Sequence, residues 1–111
     1  MCFLDALHDM GDPVEALRQE RGALADGGVV FAVEPASEDA LEANIASPTG
    51  LAWFTSSFLA CLPGSLSQPG AAGLGAQAGP SRMLAAFREA GFGTVRVAAR
   101  TPFNLVFEAR N

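Results

Sequence analysis

Lysine is missing altogether: the seven basic side chains of this 111-residue chain are all arginines, set against 12 acidic ones for a net charge of -5. No polybasic stretch exists to neutralise phosphates or anionic lipid, so neither nucleic acid nor a membrane surface is expected as a partner. Arg82, Arg88, Arg96, Arg100 and Arg110 are too dispersed to make a phosphate site. Cysteine is scarce too. Cys2 and Cys61 stand in no CxxC or Cys/His cluster, which argues against a disulfide framework and a structural zinc site; no metal centre is expected, and a reducing cytoplasm fits best. Long hydrophobic runs are also lacking. The longest, Leu51 to Leu62, is interrupted by Thr55, Ser56 and Ser57 and is too short for a membrane span. Asp5, Asp9 and Asp12 break up the N-terminal apolar residues with no basic region before them, so a secretory signal is not expected. No internal repeat is visible.

What is present argues for one small folded domain. Half of the residues are hydrophobic and 17% are charged, a balance that favours a buried core over a disordered acidic tail. Cys2 to Leu7 reads as a strand. Asp12-Pro13-Val14-Glu15 marks a helix start: Asp12 caps free amides, Pro13 suits the first helical position, and Glu15 can reach back to complete a capping box. The helix should run from Pro13 to Leu24, with Val14, Leu17, Arg21 and Leu24 on one side and a glycine stop at Gly27-Gly28. Val29 to Val33 is apolar on both alternating faces, the pattern of a parallel strand covered on both sides. Strand, helix and strand make a βαβ unit and imply an α/β fold.

After Glu34-Pro35 the apolar and acidic residues follow no clean period, and Pro63 to Pro80, rich in Gly, Ala, Pro, Ser and Gln, reads as a mobile connection. From Ser81 to Ala90 a second helix is expected, with Met83, Leu84, Phe87 and Ala90 at helical spacing, Gly91 as its left-handed stop and Phe92 packing back. Thr94 to Ala99, with Val95 and Val97 on one side, and Phe103 to Ala109, with Phe103, Leu105 and Phe107 on one side, form an antiparallel hairpin across Arg100-Thr101-Pro102.

That order of elements, with Asp5-Ala6-Leu7-His8-Asp9-Met10, Gly27-Gly28 leading into Val29 to Glu34 and Pro35, then Ala90-Gly91-Phe92, then Phe103-Asn104 followed by Glu108, resembles the C-terminal half of a class I S-adenosylmethionine-dependent methyltransferase. The blocks are similar to those of bacterial small-molecule O-methyltransferases. The resemblance implies a partial Rossmann-like sheet, parallel strands plus a C-terminal antiparallel hairpin, with flanking helices and residues 35–79 as an insertion or lid. In that fold a glycine-rich loop after the first strand holds most of the cofactor. The only glycine-rich string, Gly70-Ala71-Ala72-Gly73-Leu74-Gly75, follows no apolar strand. Residues 1–111 therefore read as the C-terminal part of a methyltransferase catalytic domain, a truncated form expected to be inactive alone.

The resemblance assigns roles residue by residue. His8, the only histidine, matches the base that deprotonates the acceptor hydroxyl, a task suited to a group that titrates near neutral pH; the alternative is a histidine satisfying a backbone carbonyl. Glu34 matches the acid that orients that histidine, the alternative being a solvated strand-end acid. Leu4 and Asp5 match positions along the methionine end of S-adenosylmethionine. Gln77 stands near the place of a further acid, so a three-residue base system is incomplete. Asp9 reads as a loop cap, Trp53, Phe54 and Phe58 as core or as a wall for a flat acceptor, and Cys61 as a buried small hydrophobe. The expected function is methyl transfer from S-adenosylmethionine to an oxygen of a small-molecule acceptor; the alternatives are a non-catalytic binding or regulatory module and an inactive fragment. The first strand's unpaired edge leads to the expectation that the isolated chain either self-associates, as a homo-oligomer, or is only marginally folded.

Overall fold

The computed structural model describes residues 1–111. Its centre is a four-stranded mixed sheet in the order β1-β2-β4-β3, built from β1 (Cys2–Leu4), β2 (Val29–Pro35), β3 (Thr94–Arg100) and β4 (Asn104–Arg110). β1 and β2 pair in parallel, with Phe3 opposite Ala32, while β4 lies antiparallel to both β2 and β3. The α/β class and the hairpin are as the periodicity requires. β1 is shorter than expected, because Asp5 turns the chain out of the strand at φ 54 and Leu7–Asp9 then forms a single 3-10 turn.

α1 (Pro13–Ala23) begins as its first residues dictate. The Asp12 carboxylate accepts the Glu15 amide at 2.9 Å, with Pro13 in the first turn. Glu15 does not close the box: its carboxylate turns forward to Arg18 and Gln19, where the helical i+3 and i+4 spacing brings those donors closer than the cap. Between β2 and the last helix the chain forms α2 (Leu41–Ala46), α3 (Gly50–Ser56), a π-helical turn (Ser57–Cys61) and α4 (Leu62–Leu66). The last three run on as one continuous helix. Pro63 has no N–H and its ring would strike the carbonyl four residues back, and the wider turn just before it, closed by Leu62 N–H on the Ser57 carbonyl, relieves that conflict. α5 (Gly79–Glu89) ends in a full Schellman motif, with Phe92 N–H bonded to the Phe87 carbonyl, Gly91 N–H to Arg88, and Gly91 at φ 94. The rings of Phe87 and Phe92 meet edge to face at 5.6 Å, sealing that end of the helix.

The core lies on one face of the sheet. Val30 and Ala32 of β2 and Leu105, Phe107 and Ala109 of β4 bury themselves against Leu17 of α1 and Met83, Ala86 and Phe87 of α5. The opposite face of β2, carrying Val29, Phe31 and Val33, is only half-buried, so the expectation of a strand covered on both sides is corrected. In β3 a bulge between Val97 and Ala99 breaks the alternation. Val97 precedes the bulge and stays in register on the same side as Val95, yet on this outer strand of the sheet it is 38% exposed, so the expected apolar stripe is only partly covered; the extra residue changes the face only of the side chains that follow it. Phe103 precedes β4 and is 62% exposed, which removes it from the expected apolar stripe.

Of the stretch from Pro63 to Pro80, expected to be a mobile connection, residues 66–72 are exposed but the part that follows is packed. Leu74, Gly75, Ala76, Ala78 and Gly79 are buried, and its backbone bonds to the loop after β1 through Gly75 N–H to the His8 carbonyl and Ala72 N–H to that of Gly11. No helix is long and apolar enough to cross a membrane.

Candidate functional site

Strand alternation places Glu34 on the same covered face of β2 as Val30 and Ala32, at the sheet's carboxyl end, where its side chain is 1% exposed. A buried carboxylate needs donors, and the turn after β1 provides them. With Asp5 left-handed, the next amides converge on it: Ala6 and Leu7 donate to Oε1 at 3.2 and 3.0 Å, and His8 N–H lies 3.5 Å from Oε2. The same turn lays the His8 ring against Glu34, with Nδ1 2.6 Å from Oε2. Both expected catalytic residues are thus in direct contact, 26 positions apart in sequence and each buried.

An ionised carboxylate only accepts, so the proton between them sits on Nδ1, and Nε2 presents its lone pair. Burial pushes the His8 pKa down, but the hydrogen bond and charge of Glu34 and the charges of Asp9 and Asp5 outweigh it, and the net shift is upward. Near neutrality a larger share of His8 is protonated than of a free imidazole, which works against a base and for an ion pair with Glu34. Glu34→Gln keeps an oxygen for Ala6 and Leu7 but turns an NH2 group toward Nδ1. We expect it to lower stability by about 1.5–3 kcal/mol, the worth of a hydrogen bond to a charged group, and to move the imidazole proton to Nε2. Urea unfolding and imidazole nitrogen shifts check both; a variant as stable as the parent with the tautomer unchanged contradicts the pairing.

The other side of the ring holds residues that sequence spacing does not connect. Asp9 Oδ1 lies 3.1 Å from His8 Nε2, so Asp9 faces the imidazole and does not serve as a loop cap. Cys61 is brought by the π-helical turn to the same place, and its Sγ, the Asp9 carboxylate and the His8 ring fall within 4.8 Å of one another. Cys61 is buried as expected, but beside a carboxylate: burial, then the Asp9 carboxylate, push its pKa up to about 11. Ser57 and Ser65, four residues before and after Cys61, are buried on the same side, and the Ser65 hydroxyl donates to the Met10 carbonyl at 2.7 Å, tying this helix to the turn. Spacing of three or four residues along a helix is visible in a sequence; which loop it docks against is not.

Leu4 and Asp5, matched to the cofactor, diverge. The Asp5 carboxylate comes within 4.8 Å of the His8 and Glu34 side chains, whereas Leu4 points out and is 69% exposed. Trp53 is half-buried, Phe54 and Phe58 are exposed, and none belongs to the core; Phe54 helps to line a separate apolar hollow of about 230 Å³ with Leu41, Ile45 and Leu51. Gln77 Oε1 and Ser57 Oγ are buried without a hydrogen bond, both crowding the space where a Cβ on Gly75 would stand. The cavity bounded by His8, Glu34 and Gly75 is about 10 Å³, scarcely the room for one water. A cavity of about 430 Å³ lies away from His8, between the start of α1 and α5, lined by charges of both signs. No family model matches this chain, and no curated protein does either.

Proposed function

We propose that this chain carries the acceptor-side half of an S-adenosylmethionine-dependent methyl-transfer site. The observation that carries the reading is the buried His8–Glu34 pair at the carboxyl end of the parallel strands, the rim where open α/β sheets bind ligands. The Rossmann-like identity of the sheet belongs to this reading, supported by the parallel β1-β2 pair joined through α1 and by the antiparallel hairpin at the C-terminus. Glu34 holds the Nδ1 proton and leaves Nε2 to take the proton of an acceptor hydroxyl as its oxygen attacks. The sulfonium of S-adenosylmethionine supplies an activated methyl group, which needs alignment more than activation. Asp9 must swing aside to admit the acceptor, and its side chain, half exposed, has solvent to move into.

The residues present fit the acceptor side and one wall of the donor site. Asp5 and the backbone of Leu4 stand at the rim, but no glycine-rich turn following a strand is among these residues to cradle the rest. Binding must first offset about 4 kcal/mol or more of lost translational and rotational freedom. The isolated 111-residue chain is therefore expected to bind S-adenosylmethionine at about 1 mM or weaker, measured by calorimetric titration; micromolar binding contradicts this division of the site. A protein that joins these residues to a strand and glycine-rich turn able to cradle the donor must, on this reading, bind the donor in the micromolar range and methylate a small phenol, and failure to bind it removes the methyl-transfer reading. A non-catalytic binding module is favoured by one observation: the His8 site is closed, with both ring nitrogens against carboxylates.

A further inference from the structure

Four features converge on His8 Nε2. In the neutral ring Glu34 fixes the proton on Nδ1, so Nε2, on the ring's other side, is left with a lone pair. Opposite it, 3.1 Å away, stands a second atom with lone pairs, Asp9 Oδ1, buried and without any hydrogen-bond partner. Two acceptors at that distance repel unless something positive joins them. A proton on Nε2 does not join them well, because the oxygen lies off the ring's donor direction and makes no hydrogen bond. An off-axis oxygen is what a tetrahedral ion requires: with ligands about 2.1 Å from the metal, neighbouring ligand atoms lie about 3.4 Å apart, the second never on the first one's lone-pair axis. A third ligand stands nearby, since Cys61 Sγ lies within 4.8 Å of a His8 ring nitrogen and of an Asp9 carboxylate oxygen, and a small shift of these side chains brings all three onto one ion.

We propose that His8 Nε2, the Asp9 carboxylate and Cys61 Sγ form a binding site for a thiophilic divalent metal ion of the zinc class, with one coordination position open. The mixed nitrogen, oxygen and sulfur set selects zinc-like ions over calcium or magnesium. Glu34 completes the arrangement: ligating histidines donate their other ring N–H to a carboxylate, which fixes the tautomer and raises ligand basicity. Asp5 is left out of this site, because it groups with His8 and Glu34 and not with Asp9 and Cys61. Binding forms a metal–sulfur bond as the thiol proton leaves to solvent. A metal on Nε2 takes the lone pair that a base needs, so the metal-loaded form and the base-competent form exclude one another.

Cobalt(II) titrated into the purified chain, stripped of metal with a chelator, tests this without any activity assay. One equivalent is expected to produce the visible absorption of a four-coordinate ion and a thiolate-to-cobalt charge-transfer band, both removed by one equivalent of Zn2+. Cys61→Ser should abolish the charge-transfer band, Cys2→Ser should keep it, and Asp9→Asn, at a half-exposed side chain that the fold tolerates, should weaken binding. Glu34→Gln should weaken it by about 10–100-fold. No band in the parent chain, a band that survives Cys61→Ser, a band lost with Cys2→Ser, or equal affinity in Asp9→Asn each overturns the site. Methyl transfer plays no part in these readouts, so either proposal can fail while the other stands.

Discussion

On the proposed function, alanine at His8 is expected to lower methyl transfer by a protein that joins this chain to a donor-binding half about 100- to 10,000-fold, the usual worth of a positioned base, while leaving its affinity for S-adenosylmethionine unchanged. The chain has one imidazole, and Glu34 holds its Nδ1 so that Nε2 alone can take the acceptor's proton. Because that proton moves in the transition state and not on binding, kcat and kcat/KM should fall together. The turn should survive the substitution, since Glu34 still accepts the amides of Ala6 and Leu7. A methyl-transfer rate within about threefold of the parent, measured with labelled donor and a small phenol in the presence of a chelator, removes His8 from the mechanism.

Phe87→Ala should cost about 3–5 kcal/mol of folding stability. Small domains have only about 5–15 kcal/mol in total, so a large share of the margin goes with one side chain. Phe87 is fully buried, meets Phe92 edge to face and stacks on Phe107 at 6.2 Å. It thereby joins α5, the cap that ends it and the central strand β4. Helix and strand backbones hold the walls of the resulting cavity apart, which keeps the cost near the upper part of that range. Phe103→Ala, at an exposed ring before β4, should change stability by about 0.5 kcal/mol or less. Urea unfolding of both variants measures the contrast, and similar values for the two would contradict the assignment of the core.

Features decided within a few residues are legible in the sequence. The Asp12-Pro13 start of α1, the Gly91-Phe92 close of α5 and the hairpin around Thr101 each depend on donors and acceptors at most five positions apart, so local chemistry is enough to set them. The start of α5 is not legible in the same way. Its first turn is held by Ser37 Oγ on Gly79 N–H and by the Asp39 carboxylate on Ser81, groups 42 positions away that no local pattern connects to it. The compositional bias of 63–80 points to a loose segment for the same reason: what orders it is docking onto the turn after β1, through Gly75 and Ala72.

His8 and Glu34 are legible as a pair of strand-end residues, because parallel strands linked by a helix deliver their carboxyl ends to one rim. Alternation along β2 alone places Glu34 on the covered face, and one histidine in 111 residues draws attention to itself. Their 2.6 Å contact, and the arrival of Asp9 and Cys61 on the ring's far side, are decided only by the tertiary structure. A left-handed Asp5 aims the turn and a π-helical turn before Pro63 rotates Cys61 inward. Both are small departures from regular backbone. Each changes where a side chain points without altering the composition or periodicity from which a sequence is read.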